Sequence, residues 1–210
     1  MDSNKTIYII GAGISGLIAA YELEKAGYAP VVLEKSDAVG GRVRTVKKNG
    51  YHLDLGFQVL LSAYPLANTY LDMDALQLRR LESGSQIYIN GKRFLIGDPL
   101  RNFRLLLPTL LADIGSLSDK WKVFKLNTRL KKKSIDTIFA SPETTTLEYL
   151  RTLGFSKKMI DRFFRPFFSG IFLEPELRTS SRMFEFVYKM FGEGYATIPD
   201  RKSTRLNSSH

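Results

Sequence analysis

Residues 7–45 read IYIIGAGISGLIAAYELEKAGYAPVVLEKSDAVGGRVRT. The β-branched, apolar run Thr6 to Ile10 predicts a buried strand. Gly11, Gly13 and Gly16 form a GxGxxG turn directly after it. Ile14 to Ala26 predicts a helix with Leu17, Ala20, Tyr21 and Leu23 near one face, and Gly27 is placed as its C-terminal cap. Pro30 to Glu34 predicts a second strand that ends in an acid. Strand, glycine turn, helix and acid-terminated strand together predict an α/β fold whose parallel sheet holds a dinucleotide at its edge.

The glycines alone carry little weight. With Gly at about 7% of residues, GxGxxG arises by chance in a chain of this length roughly 7% of the time. The flanking strand and helix, Glu34 at the end of the next strand, and Gly40-Gly41-Arg42 shortly after it make the pattern specific. The three glycines have different roles. Gly11 permits the tight turn, Gly13 lets the backbone approach a diphosphate, and Gly16 allows close helix–strand packing. The free N–H groups of Ile14, Ser15 and Gly16 would face phosphate oxygens at the positive end of the helix. Glu34 would accept from adenosine ribose hydroxyls, and its charge opposes a 2′-phosphate. Gly41 and Arg42 separate a flavin site from a nicotinamide site. An extended FAD needs further cover along its diphosphate, and a guanidinium fork fits phosphate oxygens.

The bulk composition bounds the rest. The 210 residues carry a formal net charge of +10, with 44% apolar and 25% charged residues, as in ordinary globular chains. A basic balance suits nucleic acid, an anionic surface or an anionic ligand, but here the charge is spread out and points to no nucleic acid. The chain has no cysteine, so disulfides, thiolate metal sites and a cysteinyl-flavin link within it are excluded. No metal site is expected. Nor is a signal peptide or a membrane-spanning segment, and the expected location is cytoplasmic.

Further along, Tyr51 to Leu55 predicts a short strand ending before Gly56, and Ser62 to Leu71 a helix with Pro65 in its first turn. Gln86 to Ile89, Asn90-Gly91 and Lys92 to Ile96 predict a hairpin with a type I′ turn. Helical segments are predicted at 100–111, 118–132, 145–153 and 157–164, with Pro142 and Pro166 as punctuation. This order implies a dinucleotide-binding domain over 1–84 and a partial mixed or helical substrate domain over 85–199. Asp119 to Lys133, basic with Trp121 and Phe124 interleaved, fits either a solvated helix or a peripheral contact with an anionic membrane. The aromatic-rich run Arg162 to Phe172 fits a pocket wall or ordinary core. Arg165 and Arg182 fit a substrate carboxylate or structural pairs. His52 reads as a strand-edge residue and not as a catalytic base. The final string, Asp200 to His210, has no structural period and reads as the translation of a sequencing-library adapter. It is set aside as non-native, which makes the remainder an expected N-terminal part of a longer protein.

The segments GAGISGLIAAYEL, VVLEK, GGRVRT and DLGFQ resemble the flavin-containing amine oxidase superfamily, which includes protoporphyrinogen oxidases and phytoene desaturases. The likeness is specific over Ile7 to Val59 and looser to Pro199. It implies a Rossmann-like FAD-binding domain. Gly11, Gly13, Ile14, Ser15 and Gly16 would lie at the diphosphate, Glu34 and Lys35 at the adenosine end, and Gly41 and Arg42 as a clamp. Gly56, Phe57, Gln58 and Val59 would pass near the isoalloxazine ring, although Phe57 replaces a smaller residue. It also implies a flavin that accepts a hydride from a C–N or C–C bond of an amine or apolar small-molecule substrate, with catalytic residues unassigned. The alternatives are a flavin-free binding protein of the same fold, like GDP-dissociation inhibitors, and an NAD-dependent dehydrogenase.

Overall fold

The computed structural model describes residues 6–56, 59–82, 84–97 and 101–199, the last without its side chain. Phe57, Gln58 and the tail Asp200 to His210 lie outside the described residues. The chain divides into two compact units, Met1–Leu60 with Thr69–Asp72, and Leu61–Asn68 with Met73–His210.

In the first unit, β1 (Tyr8–Ile10), α1 (Ile14–Lys25) and β2 (Val31–Leu33) form a small β-α-β arrangement. The two strands are parallel, with Ile9 opposite Val32. Ile9 and Val32 are half-buried, whereas Tyr8, Ile10, Val31 and Leu33 are exposed, so the sheet has one open apolar face. Ala20 is the buried residue of α1. That helix ends as the glycine predicts: Gly27 takes φ +86°, and the Tyr28 amide turns back to the Leu23 carbonyl at 3.0 Å. A hairpin follows, β3 (Thr45–Lys48) and β4 (Tyr51–Asp54), antiparallel, with His52 opposite Lys47. Its turn residues Asn49 and Gly50 both have positive φ, 51° and 77°, as a type I′ turn requires. By sequence alone the strand at Tyr51 has no assigned partner, although Asn-Gly stands before it.

The second unit is mostly helical. β5 (Leu60–Leu61), at its border, joins a three-stranded sheet of order β5-β9-β6. After it come α2 (Pro65–Tyr70), β6 (Leu78–Arg80), and the predicted hairpin of β7 (Ser85–Ile89) and β8 (Lys92–Ile96). Asn90 and Gly91 adopt φ 49° and 74°, the expected turn. Then follow α3 (Leu106–Leu111), α4 (Leu117–Lys132), α5 (Ile135–Ala140), α6 (Thr146–Thr152), α7 (Lys157–Met159), α8 (Arg165–Phe172), α9 (Ser181–Glu193) and β9 (Ala196–Pro199). β6 pairs antiparallel with β9, Arg79 opposite Ile198, and so draws residues upstream of Ser85 into this unit. The compact units therefore divide near Leu60, earlier than the change of character at Ser85.

Phe164, Phe168 and Phe184 are fully buried with Leu130, Leu150, Leu177 and Met190. Phe168 and Phe184 have ring centroids 4.6 Å apart. The run around Phe164 is thus core. Pro166 does not stop the helix there: Ile160–Phe164 forms a π-helical turn that leads straight into α8, with Pro166 in its first turn. A widened turn has already broken the usual ladder, so the missing proline N–H is tolerated.

Two buried charges hold helix ends. Asp119, in the first turn of α4, is 1% exposed. Its carboxylate accepts from the Ser116 amide and hydroxyl, both 2.8 Å, and from the Ser156 amide at 2.9 Å and hydroxyl at 2.7 Å. Ser116 caps α4 and Ser156 caps α7, so one carboxylate fastens two helix N-termini. At the other end of α4, the buried Lys189 ammonium donates to the Leu130 and Lys131 carbonyls at 3.0 and 3.1 Å. Among the described residues, no helix is long and apolar enough to cross a membrane.

Candidate dinucleotide-binding turn

The residues proposed for the turn all lie in the first unit. Gly11 has φ +98°, a conformation side chains resist, and its amide donates to the Leu33 carbonyl at 2.7 Å. Gly13 is the N-cap of α1 with ordinary extended φ of −73°, so conformation does not demand glycine there. A Cβ built on it meets nothing within 4 Å. Gly16 is the opposite case: its Cβ would sit 2.0 Å from the Gly11 carbonyl oxygen and 3.4 Å from Ile9 Cγ2. The three glycines thus differ in their surroundings, one turning, one leaving open space, one closing helix on strand.

Gly40 and Gly41 lie against this turn. The Gly40 amide donates to the Ala12 carbonyl at 2.8 Å, and Gly13 and Gly40 form a parallel bridge. A Cβ on Gly41 would stand 3.2 Å from Gly13 Cα. Two glycine segments are thereby pressed backbone to backbone. The short 3-10 turn Gly41–Val43 presents Arg42, which is exposed. Gly56 backs that turn closely, since its Cβ would fall 2.3 Å from the Arg42 carbonyl oxygen. Arg44 points to other work, donating to Asp37 at 2.7 Å. Lys35 is exposed and Val59 half-buried.

Glu34 does something that spacing does not reveal. One carboxylate oxygen accepts from the Ala12 amide at 2.7 Å, and the other from the Ser36 amide and hydroxyl, both 2.8 Å. Those donors, Ser36 first and Ala12 next, hold its pKa down at about 2. The acid at the end of β2 therefore braces the glycine turn. Ser36, two residues after the acid, is the one local signal for it.

The first turn of α1 carries no acidic residue and no side-chain cap, so its amides remain free for an anion. Free N–H groups, open space above Gly13, one exposed guanidinium and one ionised acid complement a diphosphate joined to a vicinal diol.

The family profile described as flavin containing amine oxidoreductase matches residues 14–202. The chain is 30% identical over 173 residues to protoporphyrinogen oxidase 2, chloroplastic/mitochondrial, of Arabidopsis thaliana, covering 80% of this chain and 32% of that protein. It is 36% identical over 156 residues to L-amino acid oxidase Bs29 of Bothriechis schlegelii, covering 70% of this chain and 31% of that protein. The chain thus spans about a third of the length of these relatives. Among solved structures it resembles an oxidoreductase from Methanosarcina mazei, with a TM-score of 0.60 at 23% identity, over 93% of this chain and 45% of that one. This last likeness concerns the fold, helices and sheets together; in the described residues the parallel sheet is the β1–β2 pair. With its profile match running over residues 14–202, the chain belongs to the flavin containing amine oxidoreductase family.

Proposed function

We propose that the chain is the FAD-binding part of an FAD-dependent oxidoreductase acting on an amine or apolar small molecule, its β1–β2 pair the start of a larger Rossmann-like sheet. The observation that carries this reading is the open space over Gly13, bounded by free α1 amides and backed by Gly41. Bound FAD would supply hydride acceptance from a C–N or C–C bond. The chain's own residues bind and orient. The Ile14, Ser15 and Gly16 amides donate to the diphosphate, Arg42 covers it, and Glu34 accepts from the ribose hydroxyls, with Lys35 beside it. Gly56 and Val59 bound the segment assigned to the ring end. The relatives' names, an amino acid oxidase and a protoporphyrinogen oxidase, agree with oxidation of nitrogen-bearing molecules.

Titration of FAD into the 210-residue chain, followed by flavin fluorescence and ultrafiltration, tests the reading. Saturable uptake is expected, and Glu34→Gln should weaken it roughly tenfold, because an amide must turn its NH₂ toward either Ala12 or Ser36, both donors. No uptake would favour the flavin-free binder. Displacement of FAD by equal NAD would favour the nicotinamide reading.

A second observation concerns membranes. Phe103, Leu106, Leu107, Leu110 and Leu111 are exposed, as are Leu117, Trp121 (56%) and Phe124 (43%) of α4. The aromatics of α4 are not tucked inward. Trp121 and Phe124 stack at 5.3 Å, and the Lys125 ammonium lies 5.7 Å from the Trp121 ring centre. Lys131 and Lys132 are also exposed, while Lys133 turns inward to Glu185. We infer a peripheral contact with an anionic bilayer through this face. Co-sedimentation with phosphatidylserine vesicles should exceed that with neutral ones. Reversing Lys131 and Lys132 to Glu should weaken it by more than the roughly fivefold expected for each positive charge removed; unchanged sedimentation would dispose of the contact.

A further inference from the structure

The geometry points to a second binding site, for a small anion, in a cavity of about 270 Å³ among α4, α6 and the N-terminal turn of α9. It lies wholly within the second unit and is independent of the FAD reading. Its walls are Arg129 and Lys133 of α4, Ser141 and Pro142 of the following loop, Tyr149 of α6, and Ser181, Arg182 and Glu185 of α9.

Three cations meet two carboxylates here, Glu185 on the wall and Glu143 beside Arg182. Among the described residues, Glu185 is the one acid on the wall, buried with 6% of its side chain exposed, and three cations line the same space. Its carboxylate accepts from Lys133 at 2.5 Å, from Arg129 at 3.5 Å and from the Tyr149 hydroxyl. Tyr149 in turn accepts from Arg129, so its oxygen is occupied on both sides. Burial, and then its bond to Glu185, raise the Tyr149 pKa and keep the phenol a neutral donor. Arg182 donates from Nε to the Ser141 carbonyl at 2.7 Å and meets Glu143, more than half exposed at the rim, at 3.6 Å.

A donor count gives the chemistry of the occupant. A guanidinium has five N–H donors and an ammonium three. Among the described residues, Arg129 commits one nitrogen, Nη2, to its two partners. Lys133 commits one bond, and Arg182 commits Nε to Ser141 with Nη1 near Glu143. The remaining donors outnumber the acceptors, which Tyr149 and Glu185 already spend on one another and on these cations. The Ser181 and Arg182 amides of α9 are already taken by the Thr144 carbonyl and the Ser180 hydroxyl, so the spare donors are those of the side chains. A cavity rich in spare donors and poor in acceptors fits an oxygen-rich anion such as a phosphate or a small dicarboxylate.

Calorimetric titration of the 210-residue chain with inorganic phosphate and, separately, succinate tests this, with sodium chloride at matched ionic strength as the reference. Saturable binding of at least one of the two anions is expected, and which one binds tells phosphate from carboxylate recognition. Arg182→Gln should weaken it about tenfold through loss of a charge-assisted bond, whereas Lys125→Gln, on the outer face of α4, should not. Glu185→Gln removes the opposing charge and should tighten binding several-fold, which a network serving only to join helices would not do. Unchanged far-UV circular dichroism shows that each variant is folded. Absence of saturable binding, equal affinity in Arg182→Gln, or no tightening in folded Glu185→Gln would overturn the site.

Discussion

Replacing Gly13 with alanine should leave the chain folded and lower its FAD affinity by about tenfold to a hundredfold. Gly16→Ala should injure the fold itself. The two glycines look alike in GxGxxG, but their surroundings are opposite. At Gly13 a methyl group enters empty space, with φ in the range any residue adopts, so folding is indifferent. That same space is where a diphosphate would approach the backbone, and an intruding methyl costs about 1–3 kcal/mol of overpacking. At Gly16 the methyl would meet the Gly11 carbonyl at 2.0 Å, a backbone atom that cannot swing aside. Strand and helix must separate, at a cost of about 1–3 kcal/mol in the first unit. Thermal melts and FAD titrations of both variants distinguish the cases. Wild-type affinity in Gly13→Ala would mean that the ligand's phosphates lie elsewhere.

Asp119→Asn should destabilise the second unit by roughly 3 kcal/mol, a fall of roughly 10 °C in its melting temperature. Asparagine keeps the size but not the chemistry. All four partners of Asp119 are donors: Oδ1 takes the Ser156 amide and Oδ2 the other three, so either placement of an NH₂ sets it against a backbone N–H. The N-cap residue of α4 or of α7 then loses the bond from its own amide. The variant should also respond differently to acid. Burial alone would raise the Asp119 pKa, yet the Ser156 and Ser116 hydrogen bonds outweigh it and hold the value at about 2. The folded state therefore binds this proton less readily than the unfolded chain, whose carboxylate titrates near ~3.9. Stability from Asp119 is complete above that value and is lost as pH falls toward about 2. Other carboxylates titrate in the same window, so the quantity to measure is the difference between the two proteins. Their stabilities should converge between about pH 4 and 2; a constant gap would refute the assignment.

How much of the fold is legible in the sequence depends on how local the cause is. Asn90-Gly91 declares its hairpin because the turn geometry resides in two residues. Asn49-Gly50 carries the same signal less visibly, since the lysines before it do not look like a strand until paired with Tyr51 to Asp54. Pro166 reads as punctuation. The π-turn before it, which removes the proline's usual penalty, has no signature in the run of residues 160–164 and shows only in the folded chain. Glu34 is recognisable as an acid at a strand end, but its grip on Ala12 requires the strand and the turn to be side by side.

The glycine spacing was enough by itself to place a tight strand-to-helix turn at Gly11 to Gly16, because it acts through the glycines' own backbone freedom. Tertiary structure alone decided that Gly13 is open while Gly16 is shut, that Arg42 stays exposed while Asp37 takes Arg44, and that Arg182 shares a cavity with Arg129 and Lys133. Those outcomes depend on which distant residues come within a few ångströms, and a linear order of side chains does not contain that distance.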